Sequence, residues 1–356
     1  MHIASVACAF PPHRYEQAEI TAAFTALLAE DDPGRALTER VHRSSQVGAR
    51  HLALKLEDYP RLDGFGGSND AFIRVGTDLA EQALRSALAE AGISPRDLDF
   101  IATVTVTGVA TPSIDARLVN RLGLRPDVKR LPVFGLGCVA GAAGIARVHD
   151  YLRGFPDHVA ALVSIELCSL TFQRGDVSGA NLVATGLFGD GAAAVIGLGD
   201  ARAGRASAGT PTLPRVVATQ SRFYPDTERA MGWDITGAGF RVVLAQSVPA
   251  LARDHLGDDV REFLAGRGLV PEDMAAWVCH PGGPKVLEAV QASLGVDDEA
   301  LALSWRSLRE VGNLSSASVL LVLRDTLRER QFVAGQHAML LAMGPGFCAE
   351  LVLLEW

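Results

Sequence analysis

The sequence predicts a layered α/β fold built from two similar halves, and three observations predict it. Short apolar runs alternate with helical stretches rich in small residues along most of the 356 residues, the pattern of mainly buried strands covered by helices. The order of units in the first half returns in the second. Between them, residues 200–215, DARAGRASAGTPTLPR, concentrate Gly, Ala, Pro and Arg. The length suits two domains, or one large core with two halves, and the expected division sets residues 1–210 apart from 211–356.

The repeat has three matched units. Residues 99–123, DFIATVTVTGVATPSIDARLVNRLG, read as a buried strand, a Pro-containing turn and a helix ending at Gly; residues 275–295, AAWVCHPGGPKVLEAVQASLG, follow the same plan. Residues 129–152, KRLPVFGLGCVAGAAGIARVHDYL, run from a strand through a Gly turn into a helix, and 306–327, RSLREVGNLSSASVLLVLRDTL, are expected to do likewise. HVAALVSIEL and GLFGDGAAAVIGL, at 158–167 and 186–198, are echoed by QHAMLLAMGPGFCAELVLLEW at 336–356. Pairing two such halves brings corresponding turns to one pseudo-twofold site, where Cys138, His280 and Asn313 can meet.

Composition narrows the function classes. The formal charge of −8 and pI near 5.6 argue against a general nucleic-acid or anionic-membrane surface, because both need a basic face. Only three of the 33 basic residues are lysines, Lys55, Lys129 and Lys285. The opening MHIASVACAFPPHR lacks the basic n-region of a signal peptide, and the longest apolar runs are too broken to span a bilayer. A cytoplasmic protein is expected. The five cysteines, Cys8, Cys138, Cys168, Cys279 and Cys348, have no CxxC spacing and fit reduced thiols better than disulfides or a zinc site. The nine histidines show no HExxH-like spacing, and there is no P-loop lysine and no GxGxxG in a dinucleotide context. Neither a metal nor a cofactor is expected.

Taken singly, the candidate residues have two readings each. Cys138 sits where a strand turns into a helix, among glycines at 135, 137 and 141 that permit close approach of another molecule. Helix N-termini favour a thiolate, but cysteine is also a common small core residue. His280 ends the buried-strand pattern AAWVCH, either as a working group at a cleft or as a structural imidazole. Asn313, in VGNLSSAS, is equally a helix N-cap residue. Asp190, in the turn GDGAAA, reads as structural.

Together these segments resemble a family. VFGLGCVAGAAG, LFGDGAAAVI, CHPGGPKVLEAV, EVGNLSSASVLLVL and MGPGFCAELVLLEW are similar, in order and spacing, to the motifs of type III polyketide synthases, the chalcone-synthase-like ketosynthases. The arginine bias suits a bacterial member. The resemblance implies a thiolase-type αβαβα fold, a homodimer, and acyl-CoA and malonyl-CoA as substrates. It implies that Cys138 is the nucleophile, carrying the acyl group as a thioester and activated by an ion pair with His280. His280 and Asn313 would hold the enolate left when malonyl-CoA loses CO2. Iterative condensation and cyclisation to a pyrone or phenolic polyketide would follow.

The same resemblance assigns a pocket. Phe188 matches the family's gatekeeper Phe, whereas the second gatekeeper position falls on Val242, a departure that leans towards aliphatic starters. Cys168, Trp233 and Thr107 are expected to line the pocket, and Arg40 matches one of three basic CoA-binding positions. The other two fall on Leu37 and Ser44, so Arg43 is the expected substitute. A single-round β-ketoacyl synthase is the alternative, but those enzymes usually carry a second Asn shortly after the His, where this chain has HPGGPK. A non-catalytic acyl-CoA-binding protein of the same fold would have no need of a nucleophile.

Overall fold

The computed structural model describes residues 1–26, 34–173, 176, 178–205 and 213–356, so the expected boundary at 210 and 211 lies outside the described residues. In the first half the strands are β1 (His2–Ala9), β2 (His13–Glu16), β3 (Ala49–Leu52), β4 (Phe100–Thr105), β5 (Lys129–Phe134), β6 (Val159–Leu167) and β7 (Asp190–Leu198). In the second they are β8 (Arg215–Phe223), β9 (Met231–Thr236), β10 (Gly239–Leu244), β11 (Met274–Cys279), β12 (His337–Gly344) and β13 (Cys348–Glu355).

Nine of these strands form one mixed sheet in the order β11-β12-β13-β8-β1-β7-β6-β4-β5. The halves join where His2 of β1 pairs with Arg215 of β8. On each side of that seam the plan is the same. β6 runs antiparallel to β7 and parallel to β4, just as β12 runs antiparallel to β13 and parallel to β11. The helices that follow β4 and β11 both end at a left-handed glycine, Gly123 with φ 65° and Gly295 with φ 68°, where any other residue would be strained.

Alternation along the strands produces the layers. In β6, Ala160 and Leu162 enter a central core while Ala161, Val163 and Ile165 face the other way. In β12, Ala338, Leu340 and Ala342 enter the same central core, with Met339, Leu341 and Met343 turned outward. With both faces covered, no polar residue is needed on either. The central core holds helices Ala140–Gly154 and Ser316–Glu329 between the two half-sheets. The long helix Gly64–Glu90 covers the outer face of the first half, and helices Val248–Ala265 and Pro284–Leu294 cover that of the second. The result is two similar α/β halves, as the repeat implied, in the αβαβα layering that the family resemblance implied.

One expectation fails. The segment before Gly312 is not a strand like β5 but the helix Ala302–Val311. Its buried residues, Ser304, Ser307, Leu308 and Val311, recur at helical spacing and turn one stripe inward, so the second half-sheet ends at β11.

Small residues explain how the central helices cross. A Cβ on Gly141 would lie 2.3 Å from the Ser316 carbonyl oxygen and 2.7 Å from Val319 Cγ1; one on Gly144 would lie 2.5 Å from Leu162 Cδ1. No helix among the described residues is long and apolar enough to cross a membrane.

Candidate active site

Cys138 sits in the short 3-10 turn Gly137–Val139, between β5 and the helix Ala140–Gly154. Gly137 has φ 57°, and a Cβ there would strike Pro345 Cγ at 2.6 Å. The turn is therefore pressed against the GPGF loop between β12 and β13. From the second half, His280 follows β11 and donates its backbone N–H to the Leu341 carbonyl at 3.0 Å. Asn313 lies just before the helix Ser316–Glu329, its backbone tied to the first half: its N–H donates to Leu187 O at 2.9 Å, and Gly189 N–H donates to its carbonyl at 3.0 Å. Cys138, His280 and Asn313 line one cavity of about 800 Å³. All three are buried, with 7%, 5% and 2% of their surface exposed.

Their polar atoms are not equally engaged. The Cys138 Sγ lies 3.7 Å from Ser315 Oγ. The Asn313 side-chain oxygen accepts from Ser315 N–H at 2.8 Å, and its amide donates to Gly282 O at 3.2 Å; Ser315 itself is held at φ 49°, a conformation serine rarely adopts. Neither ring nitrogen of His280 has a protein hydrogen-bond partner, although buried polar atoms are seldom left alone. Burial pushes the Cys138 thiol up to about 12 and the His280 imidazole down to about 3. A lone thiolate at Cys138 and a lone imidazolium at His280 are thus each disfavoured.

The pocket residues divide. Phe188, Cys168, Trp233 and Val242 line the cavity. Trp233 and Val242 face each other directly across the β9–β10 hairpin, so the room given up by a small residue at 242 lies beside the largest side chain in the pocket. Thr107 is a correction. Its hydroxyl donates to Glu166 at 2.9 Å and accepts from Leu167 N–H at 2.9 Å, and Val106 lines the cavity in its place. Arg40 and Arg43 are exposed on the helix Gly34–Ser44 and do not line the cavity, whereas Val41 and Ser44 of that helix and the neighbouring Ser45 do. Asp190 is structural, as expected: its carboxylate accepts from Ala53 N–H at 2.6 Å and from Ser169 N–H at 2.8 Å.

Two buried groups escaped the sequence reading. Arg50 is fully buried, donating Nε to Gln17 at 3.0 Å and Nη1 to the Phe188 carbonyl at 2.8 Å. It thereby fixes the backbone of Phe188, which bridges to Asn313. Glu166 accepts from Ser316 Oγ at 2.5 Å, Thr107 Oγ1 at 2.9 Å and Val106 N–H at 3.1 Å. A carboxylate inside the apolar run HVAALVSIEL was the available signal. Burial outweighs these donors and raises the Glu166 carboxyl to about 7 from the usual 4.5.

This shift makes stability depend on pH. Below about 4.5 the group is protonated in both folded and unfolded chains; as pH rises through 7, the folded chain must bury a charge, so stability from this group is lost over that window. Glu166→Gln is expected to gain thermal stability relative to the parent as pH goes from 4.5 to 8. A midpoint difference that stays constant with pH would refute this.

Comparison with known proteins agrees with this geometry. Residues 2–201 match the N-terminal domain, and residues 215–355 the C-terminal domain, of chalcone and stilbene synthases. The chain belongs to this family. A 1,3,6,8-tetrahydroxynaphthalene synthase of Streptomyces peucetius is 55% identical over 99% of this chain and 93% of its own length. A phloroglucinol synthase of Pseudomonas fluorescens is 31% identical over 98% and 97%. The crystal structure of 1,3,6,8-tetrahydroxynaphthalene synthase from Streptomyces coelicolor, a bacterial type III polyketide synthase, aligns with a TM-score of 0.92 at 31% identity, covering 100% of this chain and 99% of that one. The protein is a type III polyketide synthase, a condensing acyltransferase of thiolase-type fold.

Proposed function

We propose that this synthase carries its growing chain on Cys138 and builds a polyketide from malonyl-CoA units, closing it to a hydroxylated naphthalene of the tetrahydroxynaphthalene type. The supporting observation is the convergence of Cys138, His280 and Asn313 from both halves on one cavity, with the His280 ring unengaged. Cys138 gives its proton to His280 and attacks the thioester carbonyl of the starter, expelling CoA as its thiol. A malonyl-CoA then loses CO2, and the bonding electrons become an enolate on the thioester oxygen. His280 N–H and the Asn313 amide donate to that oxygen, in a cavity where such bonds are strong because water is scarce. The enolate carbon attacks the Cys138 thioester, a C–C bond forms, and Cys138 leaves as the thiolate. The extended chain returns to Cys138 for the next round.

Trp233 opposite Val242 supports a compact chain of malonyl origin over a bulky aromatic starter. The test is incubation with malonyl-CoA alone and with a panel of acyl-CoAs, identifying products by mass spectrometry. Malonyl-CoA alone is expected to yield the naphthalene; no product from it overturns the reading. Trp233→Gly is expected to admit larger starters, and Val242→Phe to narrow the accepted set. An unchanged starter profile in both variants would remove the pair from selection.

We place the working unit as a homodimer. β5 is a sheet edge, and Val109, Leu131, Phe134 and Phe155 are 38–45% exposed around it. Exposed edges with apolar side chains call for a cover, and a second copy supplies a matching one. Sedimentation at the mass of a single chain would exclude it. The division near residue 210 is proposed in the same sense, as two halves of one catalytic body.

A further inference from the structure

We infer that the Thr227 hydroxyl is a positioning group: it ties the GPGF loop to the β9–β10 hairpin and so sets how far the chain on Cys138 grows before it closes. This rests on the functional reading above, which supplies a chain growing by malonyl units, but the residue emerges from the hydrogen bonds. Thr227 is half-buried and is not one of the residues lining the cavity. Its hydroxyl accepts from Phe347 N–H at 2.7 Å and donates to the Tyr224 carbonyl at 2.6 Å. Tyr224 N–H in turn donates to the Phe347 carbonyl at 3.0 Å, so the turn from Tyr224 to Thr227 engages both backbone polar groups of Phe347. On the other side, Ala230 N–H donates to the Thr227 carbonyl at 2.9 Å, and Ala245 N–H to the Ala230 carbonyl at 2.8 Å. Ala230 directly precedes β9 and Ala245 directly follows β10, so the series ends at the base of the hairpin.

Both elements joined in this way line the cavity. Trp233 and Val242 lie on the hairpin, Pro345 and Phe347 on the loop, and Phe347 is fully buried. Pro345 also packs against Gly137, beside Cys138, so the loop reaches the turn that carries the nucleophile. A chain bearing alternate carbonyl groups has to be held away from its own thioester while it grows. If it is free to curl, an enol oxygen attacks the Cys138 thioester carbonyl: a C–O bond forms, the C–S bond breaks, the enol proton passes to the sulfur, and a short pyrone leaves. Walls kept at a fixed spacing restrict that approach, because ring closure depends on the reacting atoms meeting in the right geometry. Thr227 fixes the spacing from behind the walls. Without its hydroxyl the Phe347 N–H would be a donor with no acceptor, and the loop gains by turning that group elsewhere.

Thr227→Val removes the hydroxyl and keeps the branched side chain, whereas Thr227→Ser keeps the hydroxyl. Hydrogen exchange at the Phe347 amide reads the tie without turnover. Exchange is expected to be about fivefold faster in Thr227→Val than in the parent, the worth of one neutral hydrogen bond, and parental in Thr227→Ser. Incubation with malonyl-CoA reads the consequence. The ratio of short pyrones to the longest product that the parent makes is expected to rise about fivefold in Thr227→Val and to stay parental in Thr227→Ser. Leu264→Ala, at a buried core position near the end of helix Val248–Ala265, is expected to lower the thermal midpoint without moving the ratio. Parental exchange in Thr227→Val overturns the proposal, and so does faster exchange with a parental product ratio. A shift in Thr227→Ser or Leu264→Ala as large as that in Thr227→Val overturns it as well. A parent whose longest product is a polyketide other than the naphthalene sinks the functional reading alone, since the ratio is still read on that product.

Discussion

Cys138→Ala is expected to abolish chain extension while leaving part of the malonyl-CoA decarboxylation. In the mechanism proposed above the thiol forms the only covalent bond between protein and chain, so its loss should cost at least about 10³-fold in product formation. Decarboxylation needs only donors for the enolate oxygen, and His280 and Asn313 remain in place on the other half of the molecule. The measurement is paired: polyketide by mass spectrometry, and acetyl-CoA released from malonyl-CoA. Product at the parental level from Cys138→Ala would end the assignment of the nucleophile. A variant that loses both activities yet keeps its thermal midpoint would argue that the acyl group on Cys138 is needed to seat malonyl-CoA.

Gly141→Ala is expected to destabilise the protein, although replacing glycine by alanine inside a helix ordinarily stabilises it by up to about 1 kcal/mol. The new methyl would lie 2.3 Å from the Ser316 carbonyl oxygen, an atom of the facing helix backbone that cannot swing aside. Overpacking of this kind costs about 1–3 kcal/mol and outweighs the helix propensity. Gly154 is the internal control. It ends the same helix, and a Cβ there meets nothing within 4 Å, so Gly154→Ala should be neutral or stabilising. Thermal unfolding of the two variants decides the matter: equal midpoints would show that the helix crossing relaxes to admit the methyl.

Much of the site was legible in the sequence because its residues sit at punctuated positions. Cys138 and Asn313 lie at helix starts marked by glycines, and His280 at a strand end marked by HPGG. The repeat supplied the reason for them to meet, and the layering followed from strands with no polar alternation. The helix Ala302–Val311 was hidden because Gly312 ends it just as a Gly turn follows β5, and matching the turns suggested matching the elements before them. Thr107 and Val106 are adjacent and point to different neighbours, a distinction that motif matching does not resolve. Arg50 carries no local pattern: its partners Gln17 and Phe188 lie 33 and 138 positions away.

The central core belongs to neither half, and the Cys138 turn is wedged against the Pro345 loop of the other half. Catalytic competence is therefore a property of the seam between them. Displacements of about 1 Å are enough to misalign reacting atoms, far less than is needed to melt a strand. As the chain is heated or mutated, turnover will fail while the circular-dichroism signal of each half is still intact, so the synthase's own rate is its most sensitive gauge of how well the halves are docked.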